Sequence, residues 1–112
     1  MTVEKLIGAE IPKRVDYMRV IIMELARIAD HLVCNSVIGV DTGALTGFTY
    51  VFQEREKIYE LYEEICGARL TTNIGRIGGF ECDFTPAFHT KLQSFLKTFP
   101  KAFEEFDSML AR

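Results

Sequence analysis

Apolar side chains recur at Val15, Met18, Ile21, Ile22, Leu25, Ile28, Ala29, Leu32, Val33 and Val37, in steps of three and four. That spacing is the period of an α-helix with one buried face. It predicts a single amphipathic helix over about residues 12–38. Pro12 suits its first position, because proline has the helical φ and needs no donor there. A stripe this long must be covered by other elements. Arg19, Met23, Arg27 and Asp30 fall off the stripe. With Glu24 and His31, the charged members keep the run from crossing a bilayer as a lipid-facing helix.

The rest of the chain reads the same way. Thr2 to Ala9 has helical composition but is too short to stand alone, and Gly8 is placed to end it. Glycines from Gly39 to Gly47 predict a break. A second helix follows over about 48–66, with Phe48, Val51, Phe52, Ile58, Tyr59, Tyr62 and Ile65 inward and Gly67 as its C-terminal cap. Residues 67–86 hold Gly67, Gly75, Gly78 and Gly79 and read as irregular. Thr85-Pro86 is an N-cap and first-turn pair that starts a third helix over 86–98. Pro100 predicts a kink or restart, giving a fourth over 100–111. No segment alternates as a strand does. The fold class is all-α: three to four amphipathic helices and a Gly/Arg-rich segment. Residues 1–112 form one helical unit. Helical pattern at both ends leads us to expect an internal piece of a longer polypeptide. Exposed apolar faces on such a piece would favour homodimers.

Composition narrows function more than fold. A net charge of −3 over 112 residues argues against a nucleic-acid binder, which needs a basic face. Three cysteines, an odd number without a signal-peptide pattern, suggest reduced thiols rather than a disulfide framework.

Few constellations carry chemistry. His31 and Cys34 share a helix face, but a metal needs three or four ligands, and no CxxC or HExxH occurs. A packed thiol beside a hydrogen-bonded histidine is the expected arrangement. Arg55 sits close to the apolar stripe of the second helix. It belongs either to a solvated charged face or to a buried pair, which a guanidinium tolerates only with carboxylate or carbonyl partners. Asp41 lies in Gly39-Val40-Asp41-Thr42-Gly43. The pattern alone favours turn chemistry over a carboxylate facing a cavity. Gly75-Arg76-Ile77-Gly78-Gly79 is not a dinucleotide fingerprint. It suggests tightly packed backbone with Arg76 as an anchor.

Several stretches together nonetheless match one family in order and spacing. They are Val3-Glu4-Lys5-Leu6, Arg19-Val20, Glu24-Leu25-Ala26-Arg27-Ile28-Ala29-Asp30-His31-Leu32, Val40-Asp41-Thr42-Gly43-Ala44-Leu45-Thr46, Phe52-Gln53-Glu54-Arg55-Glu56, Gly67-Ala68-Arg69-Leu70, Arg76-Ile77-Gly78-Gly79 and Asp83. With these residues the chain resembles the 49-kDa-type subunits, or D subunits, of proton-pumping NADH-quinone oxidoreductases (respiratory complex I). Their fold is related to the large subunits of nickel-iron hydrogenases.

The resemblance implies a slice of that helical core, inactive alone, in an enzyme that passes electrons from NADH through iron–sulfur clusters to quinone. It implies that quinone binds between this polypeptide and the neighbouring B subunit, which carries the terminal [4Fe–4S] cluster. It also implies contacts with the C subunit and the membrane H subunit, no metal of the chain's own, and a place in the peripheral arm on the cytoplasmic side of the bacterial inner membrane. The family's headgroup-contacting Tyr and His lie N-terminal to this stretch. The acidic residue linked to that His falls on Asp41, which reverses the pattern-only preference and implies a proton or charge relay. Arg69 and Arg76 match arginines near the B-subunit contact and the cluster, though a scaffold role fits each as well.

Two departures stand out. Thr71 replaces a His carried by many members. Positive charge beside a cluster favours its reduced state, so Thr71 implies a lower, less pH-dependent potential, suited to a low-potential quinone such as menaquinone. Thr46-Gly47-Phe48-Thr49 replaces a common Thr-Pro-Phe-Phe, which predicts a softer start to the second helix. Two other readings are a hydrogenase-like component of a related energy-converting complex, marked by CxxC pairs elsewhere in its sequence, and a non-catalytic helical interaction module.

Overall fold

A computed structural model describes residues 1–111. The elements in chain order are α1 (Thr2–Ile7), α2 (Lys13–Asp41), α3 (Leu45–Cys66), β1 (Gly75–Arg76), β2 (Gly79–Phe80) and α4 (Pro86–Leu110). The chain is all-α apart from the two-residue strands. The molecule is elongated, 52 × 30 × 21 Å.

Helix α3 packs against both α2 and α4. Its apolar positions serve two partners, so its most buried residues come from both sides of the helix. Ile58 is fully buried and Leu61 and Val51 nearly so. Met18, Leu25, Ala29 and Leu32 of α2 close one side, and Phe88, Phe95 and Phe106 of α4 the other. At the surface, Lys91 of α4 pairs with Glu64 of α3 at 2.8 Å, and Tyr50 donates to Glu105. Exposed pairs of this kind contribute little, about 0–1 kcal/mol.

The expected helix ends hold where the cap chemistry is explicit. Gly8 and Gly67 end α1 and α3 in the left-handed region, at φ 69° and 71°. Thr85 accepts from the Phe88 N–H at 3.1 Å as the N-cap of α4, with Pro86 inside the first turn. Pro12 is the N-cap of α2 rather than its first helical residue.

Other expectations are corrected. Helix α2 runs through Gly39 to Asp41, because Gly39 is buried and helical there. Helix α3 starts at Leu45, not Phe48, and takes Gly47 into its first turn. A Cβ on Gly47 would stand 3.3 Å from the Phe106 ring, so glycine gives that ring room to lie against α3. Pro100 neither ends nor restarts α4. It removes one N–H, but the Phe95, Phe99 and Phe103 rings form a ladder across it, with centroids 5.2 and 6.1 Å apart. Phe95 and the more distal Phe106 are both buried, so the core anchors α4 on both sides of Pro100.

The Gly-rich segment is not wholly irregular. Gly75 pairs with Phe80 and Arg76 with Gly79 in a short antiparallel hairpin, and the Glu81 N–H donates to the Ile74 carbonyl at 3.0 Å. Gly78 supplies the positive φ of 88° that the tight turn requires. Buried Ile74 and Phe84 pin both ends.

Phe88 is fully buried. Phe88→Ala is expected to lower unfolding free energy by about 3–5 kcal/mol, as for a fully buried aromatic. Urea denaturation of the chain measures it.

Candidate functional site

The residues singled out by sequence fall at two places in the fold. Asp41 is its last residue, at the turn into α3. Arg69, Thr71 and Arg76 lie in the segment after α3, and the Arg76 carbonyl accepts from the Arg19 guanidinium in the first half of α2 at 3.4 Å. Arg19 and Asp41 are about 33 Å apart along the helix at 1.5 Å per residue. The fold therefore does not gather these residues into one pocket.

At the Asp41 turn, the last carbonyls of α2 are satisfied by other residues. The Thr42 hydroxyl donates to Ile38 and Gly39 at 3.1 and 3.0 Å. The Gly43 N–H donates to Val40 at 2.9 Å and the Ala44 N–H to Gly39 at 2.7 Å. Gly43 takes φ 96° to close the turn. Turn chemistry thus belongs to Thr42, not Asp41. The Asp41 carboxylate is exposed and makes no hydrogen bond or ion pair among the described residues. It also stands at a helix C-terminus with no basic residue in the last turn, where the helix dipole disfavours a negative charge. Beside this turn a cleft of about 290 Å³ runs between α2 and α4, lined by Asn35, Thr42, Phe103 and Asp107 among others.

At the other place, the Arg76 guanidinium is caged by its own hairpin. It donates to the Asn73 carbonyl and side chain at 2.9 and 3.0 Å, to the Gly75 carbonyl at 3.2 Å and to Glu81 at 2.8 Å. Arg69 pairs with Glu56 and, at 3.5 Å, with Glu63, and lies over the Tyr59 ring at 5.8 Å. Thr71 is exposed. Arg69 and Arg76 both remain nearly half exposed, so their cationic heads are presented at the surface.

Arg55 takes neither role expected of it. Its guanidinium lies over Phe52 and Tyr59 at 5.5 and 5.0 Å rather than on a carboxylate, and its Nε is buried without a partner. His31 and Cys34 correct the expectation of a packed thiol beside a bonded histidine: both are exposed.

Sequence reasoning missed an ion pair. Glu4 of α1 is 2% exposed and Arg19 of α2 is 11% exposed. Arg19 grips the carboxylate with both terminal nitrogens, one contact at 2.7 Å, and the Gly78 N–H donates to the same carboxylate at 2.7 Å. The Arg19 bond, then the Gly78 N–H, hold the Glu4 pKa down at about 2. Periodicity put Arg19 off the stripe. Nothing in the helix period shows that a six-residue helix folds back over that position.

The family model for the 49 Kd subunit of the respiratory-chain NADH dehydrogenase matches residues 41–112. The chain belongs to this family. It is similar to the D subunit of NADH-quinone oxidoreductase from Flavobacterium johnsoniae, 67% identical over 112 residues, all of this chain and 27% of the relative. The D 2 subunit from Cytophaga hutchinsonii is 63% identical and the D subunit from Leptospira biflexa 46%, each over all of this chain and 28% of the relative. The chain thus spans little more than a quarter of the curated relatives it matches. Asp41, Arg69, Thr71 and Arg76 all lie within the residues covered by the family model.

The Glu4 geometry sets a pH dependence. Its carboxyl pKa falls from 4.5 to about 2 on folding, so its contribution is complete above the higher value and fades as pH drops through the window. The melting temperature of the chain should therefore decline between those two pH values, and Glu4→Gln should flatten that decline. Asp83, held down by Arg14 at 2.7 Å, adds a second, exposed contribution of the same sign. Parallel curves for the wild type and Glu4→Gln would contradict the assignment.

Proposed function

We propose that this chain is part of the quinone-reducing module of a proton-pumping NADH:quinone oxidoreductase, with Asp41 as its proton- and charge-relay residue. The observation that carries the role is the Asp41 carboxylate itself. It is exposed at the end of α2 and unpaired among the described residues, while the Thr42 hydroxyl caps the helix carbonyls beside it. Such a group is free to partner a side chain from another part of the full-length polypeptide.

Quinone reduction to quinol consumes two electrons and two protons. In this reading a histidine outside the chain gives a proton to the headgroup and loses its positive charge. Asp41, hydrogen-bonded to that imidazole, then loses its compensation and draws in the next proton or cation. The electrons originate from NADH. They arrive through a [4Fe–4S] cluster held by the B subunit, the neighbour that shares the quinone cavity. This chain's own residues do not fit such a cluster. Cys34 and Cys82 are exposed, Cys66 donates to the Tyr62 carbonyl at 3.1 Å, and no three His, Cys, Asp or Glu side chains converge among the described residues. The exposed heads of Arg69 and Arg76, with exposed Leu70 and Ile77 beside them, suit the contact with the B subunit. The C and H subunits are the other partners in this reading. The place is the peripheral arm, on the cytoplasmic side of the inner membrane. No helix among the described residues is long and apolar enough to cross a membrane.

Asp41→Asn in the intact complex is expected to leave assembly unchanged and to cut quinone-reductase turnover by about 100-fold, the lower range for a positioned proton-transfer group. Unchanged turnover would refute the role. Thr71→His should raise the potential of the neighbouring cluster and make it fall with rising pH, because an imidazolium favours the reduced state only while protonated. Redox titration of the assembled enzyme reads both effects.

A further inference from the structure

We propose that Glu4 is a positioning residue for the Arg76 hairpin, fixing it to α2 through one carboxylate shared by Arg19 and the Gly78 N–H. The inference rests on the reading that this hairpin faces the B subunit, and it adds a residue that holds it there.

The hairpin is braced internally. Arg76 ties Asn73, Gly75 and Glu81 together, and the Glu81 N–H returns to the Ile74 carbonyl. An internally braced unit can still rock on its hinges. Its apolar anchors, Ile74 just before β1 and Phe80 at the end of β2, lie away from the turn at Ile77-Gly78. Ile77 is 65% exposed, so packing does not hold the turn. Polar contacts at the turn do. Gly78 donates to Glu4 at 2.7 Å, and Arg19, oriented by the same carboxylate, reaches the Arg76 carbonyl at 3.4 Å. Both contacts run to backbone of the turn, so they fix its position whatever side chains it presents. A cleft of about 430 Å³ lies against this joint, lined by Glu4, Arg19, Ile22, Met23, Thr72 and Arg76 among others. Without the tether the turn has room to swing into it.

A carboxylate that only stabilised the fold could be exchanged for an apolar pair, since replacing both partners of a buried ion pair by hydrophobic residues is often neutral or stabilising. A carboxylate that positions the turn could not, because leucine accepts no hydrogen bond. The double variant Glu4→Leu/Arg19→Leu of the full-length polypeptide separates the two roles. Its melting temperature is expected to stay within a few degrees of wild type. Amide exchange at Gly78 is expected to rise about tenfold, the factor that loss of a hydrogen bond to a charged group carries, with α2 and α3 core amides unchanged. Unchanged Gly78 exchange would overturn the proposal. So would a rise at Gly78 matched by an equal rise throughout α2. If the double variant does not fold, Glu4→Gln serves, because it weakens both contacts without cutting a cavity. A few-fold faster Gly78 amide with protected core amides supports the role, and no difference overturns it. Arg76→Ala tests the underlying reading separately, through the affinity of the full-length polypeptide for the B subunit. An unchanged affinity would sink the interface, whereas the Gly78 exchange rate reports on the tether alone.

Discussion

The two-sided burial of α3 is the constraint on which the rest depends. A helix that packs only one face leaves its other face free to be polar. Helix α3 must instead satisfy α2 and α4 at once, and it confines its charges to the strips between them. Glu54 shows what that confinement costs: it is 9% exposed, one oxygen is held by Lys57 at 2.8 Å, and the other has no partner among the described residues. Arg55, next in sequence, meets the same pressure by lying on aromatic faces. Once α3 is fixed, α2 and α4 are fixed with it. The ends of α3 then set where the Asp41 turn and the Gly-rich segment emerge, at opposite ends of the molecule.

Much of this was legible because it depends on local chemistry. The α2 stripe, the Gly8 and Gly67 caps and the Thr85-Pro86 start each follow from residues within a turn of one another. What was not legible depends on contacts between distant segments. Pro100 reads as a break until its flanking phenylalanines are known to stack along one face of the helix. Gly39 and Gly47 read as a loop until both are seen buried in helices, Gly47 with its missing Cβ leaving room for the Phe106 ring. The hairpin has two-residue strands, too short to show alternation. Asp41 and Arg76 were found through family motifs. Glu4 lies inside a family motif whose spacing gives it no role, because its partners are 15 and 74 residues away.

The Glu4 joint shows why a short helix can persist. Six residues cannot offset the cost of helix nucleation by their own hydrogen bonds. Helix α1 is held from outside: its one buried side chain is Glu4, and that carboxylate is gripped by another helix and by a hairpin. The Ala9 N–H donates to the Glu4 carbonyl at 3.0 Å, so the same residue also anchors the exit from α1. A buried ion pair is often a poor stabiliser compared with packed leucines. Its advantage here is directional, because the fork of Arg19 and a single backbone N–H accept only one arrangement of three segments.

Asp41 follows a different rule. Some charges in the chain are paired, Arg14 with Asp83, Arg19 with Glu4 and Lys91 with Glu64, whereas Asp41 has no partner among the described residues. Asp41 stands at the end of a 29-residue helix where the macrodipole opposes it, beside a threonine whose hydroxyl donates to the last carbonyls, which a carboxylate, having only acceptors, cannot do. At a helix C-terminus a glycine, an asparagine or a lysine would suit the local electrostatics better. A mismatch of this kind with the local structure is what the proposed relay role leads one to expect. The same reasoning separates Asp41 from Arg76. The cage around Arg76 uses up most of its donors within its own loop, so its remaining influence is its charge and the shape of the hairpin it braces. Asp41 keeps its acceptors open among the described residues, which is what the proposed relay role requires of it.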